Sequence, residues 1–95
     1  MQNWIHKEDI SKGGFTLLEE TEEAGIITYS KAGRKTLIID HTEVYENFSG
    51  KGLGRKLVDK VVHYARENNL KIIPLCPYAK KVFEKEADFM DVWDK

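Results

Sequence analysis

The chain has 95 residues, 41% of them apolar, 11% aromatic and 33% charged, with a formal net charge of −1. That size leads us to expect one core and one domain spanning residues 1–95, and the mixed composition excludes intrinsic disorder. Balanced charge argues against a dedicated nucleic-acid binder, which needs surplus Lys and Arg, and the lone Cys76 excludes an internal disulfide or a thiolate metal cluster.

The opening "MQNWIHKEDISKGG" has no apolar leader, and no segment nears the roughly 20 apolar residues of a membrane span, so a cytoplasmic protein without membrane contact is expected. Three segments rich in β-branched and aromatic residues follow: "FTLLEE" (Phe15 to Glu20), "AGIITYSKAG" and "KTLIIDHTEV". The short breaks between them, "TEEAG" and "SKAGR", carry turn chemistry, so the strands form an antiparallel meander with Gly33 supplying a positive φ. From Leu53 the period changes. Leu53, Leu57, Val58, Val61, Val62 and Ala65 share one stripe at helical spacing, predicting a helix that runs to about Asn68, with Asn68 and Asn69 suited to its end.

"LKIIPLC" then reads as a strand, giving a strand–helix–strand unit with a right-handed parallel crossover. Pro74 removes a ladder donor, which predicts an edge, a bulge or a splaying of this strand from its neighbour. "PYAKKVFEKEA" reads as a second helix with Pro77 at its first position, and "DFMDVW" as a last short strand. Trp4, Phe15, Phe89 and Trp93 are expected to cap the ends of the core, and "EETEE" to form a solvated turn.

Three glycines at alternate positions, Gly50, Gly52 and Gly54, precede the first helix in "NFSGKGLGRKLV". The run is not a P-loop, because no Lys followed by a hydroxyl residue stands after its last glycine. Nor is it a dinucleotide fingerprint, since Arg55 or Leu57 stands where the third glycine belongs. Two readings remain. Successive N–H groups at a helix start form an anion site, helped by Lys51, Arg55 and Lys56, or the glycines are a flexible connection.

"SGKGLGRKLV", preceded by "HTEVYENF", resembles motif A of the GCN5-related N-acetyltransferases: Gln or Arg, two residues, Gly, one residue, then Gly or Ala. Gly52 and Gly54 match; Ser49 stands at the first position, and Glu46 where many members have proline. "HTEV", "YAR" and "IIPLCPYA" resemble a small subgroup of short members, and the likeness runs from about Phe15 to Phe83. It implies an α+β fold: a mostly antiparallel sheet with a central parallel splayed strand pair and two main helices. It also implies that acetyl-CoA is bound as co-substrate without a metal. Its diphosphate would lie on Ser49, Gly50, Lys51, Gly52, Leu53, Gly54 and Arg55. Its pantetheine would pass between the strand ending at Val44 and Tyr45 and the strand carrying Pro74, near Cys76, Tyr78 and Ala79.

The family's usual acid is a tyrosine on the last helix, and here the aligned residue is Phe83, which has no proton to give. Cys76, directly before Pro77, is the replacement candidate as acid or as nucleophile, the alternative being an inert buried side chain. His41 and Glu43 share one face of their strand, with Thr42 opposite, and could serve as bases if that face lines the cleft; otherwise they are solvated strand-end residues. His6, near a terminus expected to be mobile, and His63 on a helix flank carry less. The implied activity is acetyl transfer to an unidentified amine by a monomer, the alternative being a non-catalytic acyl-CoA-binding module.

Overall fold

A computed structural model describes residues 1–95. Five strands run in sheet order β1 (Gln2–Glu8), β2 (Lys12–Glu19), β3 (Glu22–Ala32), β4 (Thr36–Val44) and β5 (Lys71–Pro74). The first four pair antiparallel, and β4 pairs parallel with β5 through the crossover helix α1 (Leu53–Glu67). Helix α2 (Pro77–Lys85) follows β5. This is the expected α+β architecture.

The two helices and one face of the sheet share a single cluster of 20 buried residues. Phe15, Leu17, Ile27, Tyr29, Leu37, Ile39 and Ile72 supply the sheet side. All six positions of the predicted α1 stripe are buried against them, each large apolar side chain worth about 1.5–3 kcal/mol. Asn69 takes φ 56° after the helix, and the Leu70 N–H returns to the Ala65 carbonyl at 2.8 Å, a Schellman closure. Gly33 has φ 74°, as its turn requires. The opposite sheet face, with Asp40, His41 and Glu43 exposed, carries no helix.

Three expectations need correction, and one feature was not foreseen. The amino-terminal segment is a seven-residue strand in register with β2, so His6 is held within the sheet. "DFMDVW" forms a 3-10 turn at Ala87–Phe89 and contributes one isolated bridge, Ile72 to Trp93, instead of a strand. In consequence the parallel pair expected at the centre stands at the sheet's side, with β5 the last strand of the order. Finally, β4 is bulged: Tyr29 pairs with Ile39 but Thr28 pairs with His41, leaving Asp40 as the extra residue. Beyond the bulge the inward positions are Thr42 and Val44.

Candidate functional site

Pro74 opposite Ile39 is the last registered pair of β4 and β5, and the Cys76 N–H still reaches the Ile39 carbonyl at 2.9 Å. Past that point β4 continues to Val44 with no β5 residue opposite. The missing Pro74 donor and the start of α2 at Pro77 end the ladder, and the two chains part there.

The glycine loop closes the other side of this gap. After the Tyr45 N–H bonds the Ala24 carbonyl at 2.9 Å, a 3-10 turn at Glu46–Phe48 leads to Ser49. The Ser49 hydroxyl donates to the Glu46 carbonyl at 3.0 Å, which fixes the start of the loop. Gly50 and Gly52 have φ of 79° and 74°, and a methyl group on either would meet nothing within 4 Å. The glycines therefore answer a backbone requirement in open space. Gly52 caps α1 without a side-chain hydrogen bond, and the first turn holds no acidic residue. The backbone N–H groups from Gly50 to Arg55 have no acceptor within the protein. A row of free donors at a helix start, on the positive end of its dipole, is suited to an anion.

A cavity of about 330 Å³ lies against these donors, lined by Thr42, Val44, Ser49, Gly50, Gly52, Leu53, Gly54 and Tyr78. Tyr78 lies over Gly54 so closely that a methyl group there would sit 2.7 Å from its hydroxyl oxygen. Of the residues expected at a cofactor site, Val44, Ser49, Gly50, Gly52, Leu53, Gly54 and Tyr78 meet in this cavity. Tyr45, Lys51, Arg55, Cys76 and Ala79 stand outside its lining; Ala79 is part of the core. Arg55 is held by Asp59 at 3.0 Å and Glu86 at 2.7 Å, which together push its pKa above the usual arginine value. Lys56 turns to Gln2 at 2.8 Å, and the Lys51 ammonium lies 5.6 Å from the centre of the Phe48 ring.

Cys76 caps α2 and is buried, with its Sγ 3.6 Å from the Thr42 hydroxyl. His41 and Glu43 lie on the other face of β4, exposed and 3.3 Å from each other. Thr42, not His41 or Glu43, thus connects the cavity to the thiol. Its role is hidden in the sequence because strict alternation from Leu37 and Ile39 would turn it outward, and nothing in the residues marks the Asp40 bulge. Phe83 is buried against Phe89 and Trp93.

The sequence profile of the GCN5-related N-acetyltransferase family matches residues 14–92. A GCN5-like protein from Staphylococcus aureus, known from its solution structure, is 40% identical, with a TM-score of 0.71 over 95% of this chain and 87% of that one. The curated relatives include Protein NATD1 of Xenopus tropicalis, 30% identical over 67% of this chain and 59% of its own length. This chain therefore spans about three-fifths of that relative. A GNAT family acetyltransferase from Elizabethkingia anophelis, solved with acetyl-CoA bound, shares the fold at 19% identity, with a TM-score of 0.63 over 79% of this chain and 52% of that one. On the match across residues 14–92, this chain belongs to the GCN5-related N-acetyltransferase family.

Proposed function

We propose that the chain is a single minimal domain that binds acetyl-CoA and transfers acetyl to an amine, acting as a cytoplasmic monomer. The observation that carries this is the run of N–H groups without a protein acceptor from Gly50 to Arg55. Of the residues that bear them, Gly50, Gly52, Leu53 and Gly54 line the cavity at the gap between β4 and β5. A diphosphate fits such a row, and the bare Cα positions of Gly50 and Gly52 leave it room to approach. The backbone from Ser49 to Arg55 would hold the diphosphate, and Val44 and Tyr78 the arm beyond it.

When bound, acetyl-CoA supplies an activated thioester; the chain must place it, free the amine of a proton and return a proton to the departing sulfur. Cys76 stands at the β4–β5 gap, and its contact with the Thr42 hydroxyl orients the thiol. We assign it the proton for the leaving sulfur, or the nucleophile that accepts acetyl before the amine does. His41 and Glu43, exposed on the opposite face of β4, would take the amine's proton as that substrate approaches the uncovered side of the sheet.

An amide-shift titration of labelled protein with acetyl-CoA tests the binding. Saturable changes at Val44 to Arg55 and Cys76 to Ala79 are expected, and no localised change at millimolar ligand would sink the reading. A second reading, a non-catalytic acyl-CoA-binding module, is favoured by the buried Phe83 at the place of the family's acid. Binding without amine-dependent release of CoA would establish it, and a Cys76→Ser protein with full transferase activity would remove both cysteine roles.

A further inference from the structure

A second cavity, about 260 Å³, adjoins the glycine-loop cavity across Tyr78, which lines both. Its other lining residues are Arg55, Lys81, Val82, Lys85 and Glu86. Tyr78, Lys81, Val82 and Lys85 are spaced as one stripe of α2, so the two ammonium groups share a face of the helix. Charge in this cavity is unequal in kind. The Arg55 guanidinium is shared between Asp59 and Glu86; within the lining itself Arg55 and Glu86 offset each other, so the two lysines leave positive charge in excess. Lys81 and Lys85 take part in none of the chain's ion pairs or side-chain hydrogen bonds. Two unpaired cations on one wall of a cavity attract a second anionic group, set apart from the one on the loop donors but carried by the same ligand.

We propose that Lys81 and Lys85 hold the 3′-phosphate of the coenzyme's adenosine, making this chain selective for 3′-phosphorylated CoA over 3′-dephospho-CoA. The inference rests on the acetyl-CoA reading above. A terminal phosphate monoester concentrates close to two negative charges and three acceptor oxygens on one phosphorus at neutral pH, so two adjacent ammonium groups can both bond it through charge-assisted hydrogen bonds. Tyr78, half-exposed, stands between the two cavities and lines both, so one extended ligand can span from the loop donors to the lysines. Lys80, exposed on the same helix but outside the cavity lining, is a built-in control.

Calorimetric titration of the full chain with CoA and with 3′-dephospho-CoA tests this. The unaltered protein is expected to bind CoA on the order of tenfold more tightly, with the gap narrowing as salt rises. Combined Lys81→Gln and Lys85→Gln substitutions, which keep good helix formers on an exposed face, are expected to abolish the gap, and Lys80→Gln to leave it. Equal binding of the two ligands by the unaltered protein, or a gap that survives the double substitution, overturns the inference while the acetyl-CoA reading stands. Failure of both ligands to bind overturns the two together.

Discussion

The two ends of α1 handle glycine and polar groups in opposite ways. Beyond its carboxy-terminal half, Gly13 and Gly14 on β2 lie where space is already taken. A methyl group on Gly13 would sit 2.5 Å from the Tyr29 hydroxyl oxygen and 2.9 Å from the Lys7 carbonyl, and one on Gly14 would sit 2.8 Å from the Ile27 carbonyl. Polar groups there are paired. Tyr29 and Tyr64 both donate to Glu8 Oε2, at 2.7 and 2.8 Å, and the Lys31 ammonium reaches the other Glu8 oxygen at 3.3 Å. With Tyr29 donating to Glu8, His6 Nε2–H is left to donate to the Tyr29 oxygen at 2.7 Å, its ring stacked on Phe15. At the amino-terminal end Gly50 and Gly52 stand in open space at positive φ, beside N–H groups with no protein acceptor. A satisfied, filled cluster is what a fold needs for its own stability. An unsatisfied, open one is what a ligand completes.

Substituting the glycines breaks this comparison most sharply. Gly13→Val forces Tyr29 out of its place and is expected to cost about 3 kcal/mol of stability through overpacking and displaced hydrogen bonds. Acetyl-CoA affinity of the folded fraction should be unchanged. Gly52→Ala meets no atom, so its cost is the left-handed backbone alone, about 1–2 kcal/mol. It is nevertheless expected to lower acetyl-CoA affinity by more than tenfold, because relaxing φ turns the loop donors away. Urea denaturation read beside calorimetric titration separates the two effects. If Gly13→Val weakened binding as much as Gly52→Ala, the division of labour drawn here would be wrong.

What was legible in the sequence follows the same division. The α1 stripe, the Gly33 turn and the loop glycines could be read because each answers a local demand: a helical period, or a positive φ. β1 could not, since its inward positions are Trp4, His6 and Glu8 and give no apolar alternation; they face partners supplied by β2, β3 and α1. The Asp40 bulge has no residue signature, so the exchange of faces that brings Thr42 to Cys76 was invisible. Arg55 and Lys56 looked like phosphate ligands by nearness in the chain, but Asp59, Glu86 and Gln2, the last two distant in sequence, hold them. The short tail failed as a strand because Phe89 and Val92 are needed in the core, and the turn that buries them leaves only Trp93 to reach Ile72.

The smallest expected effect sharpens the filled end. Tyr29→Phe removes the donor to Glu8 and the acceptor of His6, at an expected cost of about 1–2 kcal/mol at neutral pH with no change in cofactor affinity. Its pH dependence is the finer test. The Tyr29 hydrogen bond is the main cause that holds the Glu8 carboxyl below its ordinary value; burial opposes it, and Tyr64 and Lys31 assist. A carboxyl depressed in the folded state is protonated more readily when unfolded. Its stabilisation is complete above the ordinary glutamate value of about 4.3 and is lost as pH falls through the folded value. Tyr29 itself is pushed far up, by burial first and by Glu8 second, and Tyr64 is raised by the same two causes. Their contribution is complete below about pH 10 and lost as pH rises beyond it. Urea midpoints from pH 6 down to 3 should therefore fall more steeply for the unaltered protein than for Tyr29→Phe. Asp9, Glu20 and Asp91 are also held below their ordinary values, by Ser11 and Lys12, by the amino terminus and by Arg66, but they titrate alike in both proteins and cancel in the difference. Parallel curves would mean that Glu8 does not depend on Tyr29 for its low pKa, and that the cluster is held by packing rather than by its hydrogen bonds.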